Sequence, residues 1–302
     1  MRRPVPGSLL ILVPLLVGVL GVVGLLGASA VTVPAGVAAA QGSEESALQG
    51  ARLSRAQGGD VTLQWLGWNA WRITTVDGRV ILLNPFINNP DSPIRLDGIP
   101  RADLILVTNG HGDEVGQAVE IANSTGGRVV SGSWGLGGWF IDVGVPAGQV
   151  TRLSPGERIS TQGITVRALN NVHGSDIGRP TEAVPSGGIA GSFMVTLENG
   201  WTLYYGASGA ATQDMALWAG LYQPDAAILY MNATKEPLDF ALSAKLLRTD
   251  NPNLQTILPG HHRYQQAPGT TTIDDVQRAV DALGVPLVVT EPVPGQELVF
   301  GK

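Results

Sequence analysis

The chain has 302 residues, 44% of them hydrophobic, which is enough to bury a sizeable core in one large domain or two small ones. Nineteen basic residues against 25 acidic give a net charge of −6. With no basic cluster along the chain, this excludes the electrostatic footprint of a nucleic-acid-binding surface. Cysteine is absent, which excludes disulfides, thiolate metal ligands, a cysteine nucleophile and a lipid-modified cysteine.

The first forty residues read as a targeting segment. Arg2 and Arg3 precede an apolar run from Leu9 to about Gly27, followed by the small-residue triplets Ala28-Ser29-Ala30 and Ala38-Ala39-Ala40. That pattern fits a cleaved export signal. Pro14 and the glycines at 18, 21, 24 and 27 lower its helix propensity. The run just reaches the ~18 residues of a membrane span, so a retained anchor is the alternative. Either way the expected location is extracytoplasmic, periplasmic or membrane-tethered. Without Arg2 and Arg3 the remainder carries 17 basic and 25 acidic residues, a net charge of −8. Residues 41–59 are small, polar and aperiodic and read as a flexible linker, leaving 60–302 as the folded domain.

From Val61 the pattern turns strand-like. Val61–Leu66, Ala70–Thr74 and Val80–Leu83 are separated by short turns, the last containing Asp77-Gly78. The apolar run Leu104-Ile105-Leu106-Val107 reads as a buried strand, and Val115, Val119 and Ala122 as the face of a following helix. Further strands are expected at Arg128–Ser131, Ile164–Leu169, Phe193–Leu197 and Trp201–Tyr205, the last two joined by Glu198-Asn199-Gly200. Residues 132–139 are glycine-rich but lack the spacing of a phosphate loop, and read as a turn with two packing tryptophans, Trp134 and Trp139. Later, Gln213–Tyr222, Pro237–Arg248 and Thr272–Leu283 carry helical spacing, with strand-like runs at Ala226–Tyr230, Thr256–Leu258 and Pro286–Thr290. Strands first, then alternating helices and strands, predict two sheets packed face to face with helices outside.

Between the strand ending at Val107 and the next helix lies Thr108-Asn109-Gly110-His111-Gly112-Asp113-Glu114. Imidazole and carboxylates clustered at a strand-to-loop junction are how a rigid scaffold aims several ligands at one point. The stretch resembles the His-x-His-x-Asp-His signature of the metallo-β-lactamase fold. Segments around Trp65–Ala70, Leu82–Phe86, Asn171–His173, Tyr204–Ala207 and Pro259–His261 follow in that family's order. Their spacing is similar to the ascorbate-6-phosphate-lactonase-like branch, many of whose members are predicted metal-dependent hydrolases.

The resemblance implies an α/β fold, a four-layer αββα sandwich of two mixed sheets, with one or two metal ions at the strand-end loops. It implies His111 and His173 as ligands of the first metal, beside Asn109 where the family has His. It implies Asp113 and His261 as ligands of the second, beside Glu114 where the family has His. Ala207 stands where the family usually has an Asp that touches both metals. Asn84 replaces a strand-end Asp and Trp68 a rim His, while His262 neighbours a ligand position. A carboxylate at Glu114 still coordinates Zn or Mn, an amide at Asn109 is a poor substitute for imidazole, and Ala207 offers nothing. A bridged two-metal centre is therefore not expected.

Two readings remain. In one, a single Zn, Mn or Fe ion is held by His111, His173 and His261 with Asp113 or Glu114, and a hydrolase of the ester, lactone or phosphoester class results, with Asp113 in the catalytic role. In the other, no metal binds, and a neutral, partly aromatic pocket takes a small molecule or a partner's side chain. All four histidines lie at or beside expected ligand positions. In both readings the partner is a small molecule rather than nucleic acid, with a membrane tether through the N-terminal segment if that segment is retained.

Overall fold

The computed structural model of the chain describes residues 59–178 and 186–302. The expected leader and residues 41–58 of the expected linker lie outside the described residues. Among these residues, no helix is long and apolar enough to cross a membrane.

Strands β1 (Val61–Trp65), β2 (Trp71–Thr74), β3 (Val80–Leu83), β4 (Leu104–Val107), β5 (Arg128–Ser131), β6 (Val150–Arg152) and β13 (Glu297–Phe300) form a seven-stranded sheet in the order β13-β1-β2-β3-β4-β5-β6. The β1–β2–β3 meander and β13 pair antiparallel, while β3–β4–β5–β6 run parallel. The second sheet has six strands in the order β12-β11-β10-β9-β8-β7, from β7 (Arg158–Thr161), β8 (Ile164–Asn170), β9 (Gly191–Thr196), β10 (Thr202–Tyr205), β11 (Ala226–Tyr230) and β12 (Thr256–Gly260). It too is mixed, with β10–β11–β12 parallel.

The period-2 rule of strands assigns each face. Leu104 and Leu106 of β4 join Trp65, Trp71, Phe193 and Tyr205 in the core between the sheets. Ile105 and Val107 point the other way, against α1 (Gly112–Val115), α2 (Ala118–Thr125) and α3 (Trp134–Asp142). Across the molecule, α4 (Asp214–Tyr222), α5 (Pro237–Arg248) and α6 (Ile273–Ala282) cover the outer face of the second sheet through Phe240, Leu247 and Val276. The result is the expected αββα sandwich. Strands buried on both faces read as continuous apolar runs, which is why β4 was legible as Leu-Ile-Leu-Val.

Two local expectations are corrected. The glycine-rich stretch is the helix α3, because Ser133 caps it by accepting from the Leu136 amide, and its glycines permit close approach. A Cβ on Gly137 would lie 2.3 Å from Arg152 Cγ. Of its tryptophans only Trp139 packs on the core; Trp134 is exposed beneath the Arg152 guanidinium, 4.3 Å from its ring centroid. Pro286–Thr290 forms an isolated bridge, Val289 to Ile257, rather than a strand. The strand that closes the first sheet is instead β13, whose alternating exposed and half-buried residues carry too weak an apolar pattern to stand out.

Candidate functional site

Four strand-end segments meet at one mouth of the sandwich. Within them the backbone takes left-handed conformations at four non-glycine residues: Trp68 (φ 52°) after β1, Asn84 (φ 40°) after β3, Ala207 (φ 49°) after β10 and His261 (φ 65°) after β12. Such conformations cost roughly 1–3 kcal/mol and cluster where a fold over-determines its backbone. Here the chain is pinned by hydrogen bonds across the segments: His261 N to Trp68 O at 3.0 Å, Trp65 Nε1 to Trp68 O at 2.8 Å and Tyr205 Oη to Asn69 O at 2.7 Å.

The loop after β4 supplies His111, Asp113 and Glu114. The Gly110 amide donates to Ser175 Oγ at 3.2 Å and the Gly178 amide to Gly110 O at 3.0 Å, so the 172–178 loop lies alongside and brings His173 to His111. Their rings stand edge to face, with His173 Nε2 3.3 Å from His111 Nδ1. Burial, reinforced by the neighbouring His111, lowers the His173 pKa to about 4 and keeps that ring neutral, with a lone pair to offer.

Asp113 and His261 form a second pair, Asp113 Oδ2 to His261 Nε2 at 3.2 Å, and the Trp68 indole also donates to Asp113 Oδ2 at 3.0 Å. Burial works against the Asp113 charge, but the His261 hydrogen bond and charge and the Trp68 donor outweigh it, bringing its pKa to about 2. Burial likewise works against the imidazolium of His261, and Asp113 reverses the balance so that its pKa rises. On its other side, His261 Nδ1 lies 3.5 Å from the side-chain amide of Asn232, whose Oδ1 accepts from the Thr234 amide at 3.1 Å.

Glu114 is fully buried, and both its oxygens are taken. Asn69 Nδ2 donates to Oε1 and Oε2 at 3.2 and 3.0 Å, Asn84 Nδ2 to Oε2 and Ser208 Oγ to Oε1. Asn84 cannot turn away, because its Oδ1 accepts from the Thr108 amide at 3.0 Å. Burial pushes the Glu114 pKa up to about 7, the donors pulling against it without prevailing.

The remaining sequence candidates divide. Asn109 is buried with its amide turned back on the chain, accepting from the His111 amide at 3.1 Å. Ala207 is buried at the mouth and contributes no ligand atom. His262 lies outside the group: it stacks on Trp65, ring centroids 4.7 Å apart, and pairs with Glu291 at 2.7 Å. Sequence reasoning missed Asn69, Ser208, Asn232 and Tyr230. The first three are neutral residues whose role appears only once a buried acid and an imidazole are found beside them. Tyr230 ends β11 between His173 and His261, with ring centroids 5.9 and 5.0 Å away.

A metal ion fits this arrangement unevenly. Zn–N bonds of about 2.0–2.1 Å in a tetrahedron put neighbouring ligand nitrogens roughly 3.3–3.4 Å apart, and the His111–His173 pair meets that separation. At the other end most lone pairs are already committed, both Glu114 oxygens to three donors and Asp113 Oδ2 to Trp68 and His261. Among the described residues, no group of three or more His, Asp or Glu side chains converges as a ligand set.

The sequence profile described as the Beta-lactamase superfamily domain matches residues 62–234. A UPF0173 metal-dependent hydrolase of Rubrobacter xylanophilus is 30% identical over 244 residues, covering 80% of this chain and 97% of that protein. One from Roseiflexus sp. strain RS-1 is 28% identical over 251 residues, covering 80% and 98%. Among solved structures, Igni18, a metallo hydrolase from the archaeon Ignicoccus hospitalis, aligns over 80% of this chain and 98% of its own with a TM-score of 0.66 at 22% identity, a likeness of fold. With its two mixed sheets, its flanking helices and a match along nearly the whole length of these relatives, the chain belongs to the β-lactamase superfamily, among its metal-dependent hydrolases.

Proposed function

We propose that this protein is an exported hydrolase of small molecules that works with at most one divalent ion, Zn, Mn or Fe, at the His111–His173 end of the site. The observation that carries this reading is Glu114: a carboxylate at a metal-ligand position of the family is instead satisfied by Asn69, Asn84 and Ser208. Three neutral donors and the charge of His261 stand in place of a second cation and compensate the buried carboxylate only in part, its pKa remaining at about 7.

A divalent ion, when bound, lowers the pKa of coordinated water towards 7 and polarises the scissile carbonyl or phosphoryl group. The chain's own residues handle the proton. Asp113 Oδ2 accepts and His261 Nε2 donates, 3.2 Å apart. The Asp113 side chain keeps about a third of its surface exposed (34%), so substrate reaches it. Trp68 and Asn232 hold the two partners in register. Export is supported by Arg2, Arg3 and the apolar run to Gly27, and is tested by the mass of the N-terminus in the extracytoplasmic fraction.

Metal analysis of protein purified without chelators tests the central point. About one equivalent of Zn, Mn or Fe, lost in the His111→Ala variant, supports it. Two equivalents, or a metal-free protein whose melting temperature ignores added ions, overturn it, the latter in favour of a binding protein that uses the same cavity.

A further inference from the structure

A cavity of about 260 Å³ opens beside His261, walled by Trp68, Asn232, Gln266 and Thr270. Neither His111 nor His173 lines it. By size it admits one ring with a short polar substituent, since about 150 Å³ already suffices for benzene.

Its charge is as informative as its volume. The cations that line it are each paired: Arg263 with Asp91 at 2.8 Å, His262 with Glu291 at 2.7 Å and His261 with Asp113 at 3.2 Å. An anionic group entering here meets no cation on the lining that lacks a carboxylate partner. Desolvating such a group without a partner is costly.

The walls favour a flat, neutral guest instead. Trp68 and His261, ring centroids 5.1 Å apart, both line the cavity. Trp68 is pre-set, its left-handed backbone held through its carbonyl by Trp65 and His261, so little ordering remains to be done on binding. The amides of Asn232 and Gln266 and the Thr270 hydroxyl are neutral groups of the kind that orient a guest in an otherwise apolar site.

We infer that this cavity seats an uncharged, single-ring portion of the substrate bearing an amide or carbonyl group, and that the site selects neutral esters, lactones or amides over phosphorylated and carboxylated compounds. The inference rests on reading the site as a hydrolase site, so its test measures binding without turnover. Chelator-treated full-length protein is titrated with phenylacetamide, phenylacetate and phenyl phosphate by ligand-observed NMR. The amide should bind about tenfold or more tighter than either anion, the size of one discriminating interaction. Trp68→Ala should weaken the amide about tenfold, and so should Ala233→Phe, which fills the cavity from an exposed position and keeps the inference testable if the tryptophan variant misfolds. Equal or tighter binding of either anion overturns the inference. So does amide affinity unchanged in Ala233→Phe, or no binding of any of the three. Metal analysis decides the hydrolase reading independently of all these outcomes.

Discussion

Asn84→Asp probes the Glu114 network with almost no change of shape. Asn84 and Glu114 are both fully buried, and the Asn84 amide is held by the Thr108 backbone with its nitrogen against Glu114. Asp is isosteric with Asn and, like it, tolerates the left-handed backbone at φ 40°. The substitution therefore does one thing: it replaces a donor by an acceptor and sets two carboxyl groups against each other. Two buried carboxylates in contact cannot both ionise, so one takes up a proton. Glu114, with a pKa of about 7, already holds a proton at acid pH, and the added carboxylate keeps that proton bound to higher pH. Relative to wild type the variant therefore loses further stability only above about pH 7, each unit costing about 1.4 kcal/mol until the proton leaves. With a lost donor worth about 1–3 kcal/mol, partly offset by a short shared-proton bond, the variant should be destabilised by about 1–2 kcal/mol at pH 5 and by about 3 kcal/mol at pH 8. In a domain of this size that is a melting point lower by roughly 10 °C at pH 8. Urea unfolding of both proteins at pH 5, 6.5 and 8 in the presence of chelator measures it. A loss independent of pH, or no loss at pH 8, would refute the claim that Glu114 is a buried acceptor held by neutral donors.

In metal-free protein, Glu114, with a folded pKa of about 7 against 4.5, withdraws stability as pH rises from 4.5 to 7. His173, at about 4 against 6.5, withdraws it as pH falls from 6.5 to 4. Glu114→Gln should therefore give a urea midpoint that climbs more steeply with pH across 4.5–7 than wild type. Gly116→Ala should prevent soluble folding or cost more than about 3 kcal/mol, because its Cβ would lie 2.3 Å from Phe86 Cα at φ 49°; a normal melting curve would contradict the close approach. Ala207→Gly should be nearly neutral while Ala168→Gly, equally buried in the same core but within β8, costs about 1–2 kcal/mol; equal losses in the two melting curves would mean that position 207 carries no strain.

The fold was legible because most strands are buried on both faces and most helices on one, so that apolar runs and helical spacing mark them directly. Where the signal failed, a specific physical term had taken over. In α3 one capping serine and small residues at contact points outweighed the low helix propensity of glycine. In β13 only alternate residues are half-buried, which leaves little apolar pattern to read. Among the titratable residues the sequence singled out, His111 lies against His173 and His261 against Asp113 and Glu114, while His262 pairs elsewhere with Glu291. The neutral members of the site were not legible, because Asn69, Ser208 and Asn232 are common polar residues whose meaning is relational. Only the fold decides which acid or imidazole each one faces.

Ala207 separates what the scaffold imposes from what the chemistry needs. Among non-glycine residues a left-handed backbone is easiest for Asn and Asp, and Ala gains nothing from it. An Asp is what the family resemblance leads one to expect at this position, yet the chain carries an Ala and keeps φ at 49°. The turn is therefore enforced by the strands that flank it: the Gly206 amide donates to Ile228 O at 2.9 Å, and β10 is wedged between β9 and β11. The same reasoning applies to Asn84, whose left-handed turn now aims a donor at Glu114. A backbone held in place by two sheets keeps its strand-end positions aimed at one point whichever side chains occupy them. Substitution there can change the charge balance of the mouth while the fold around it stays the same.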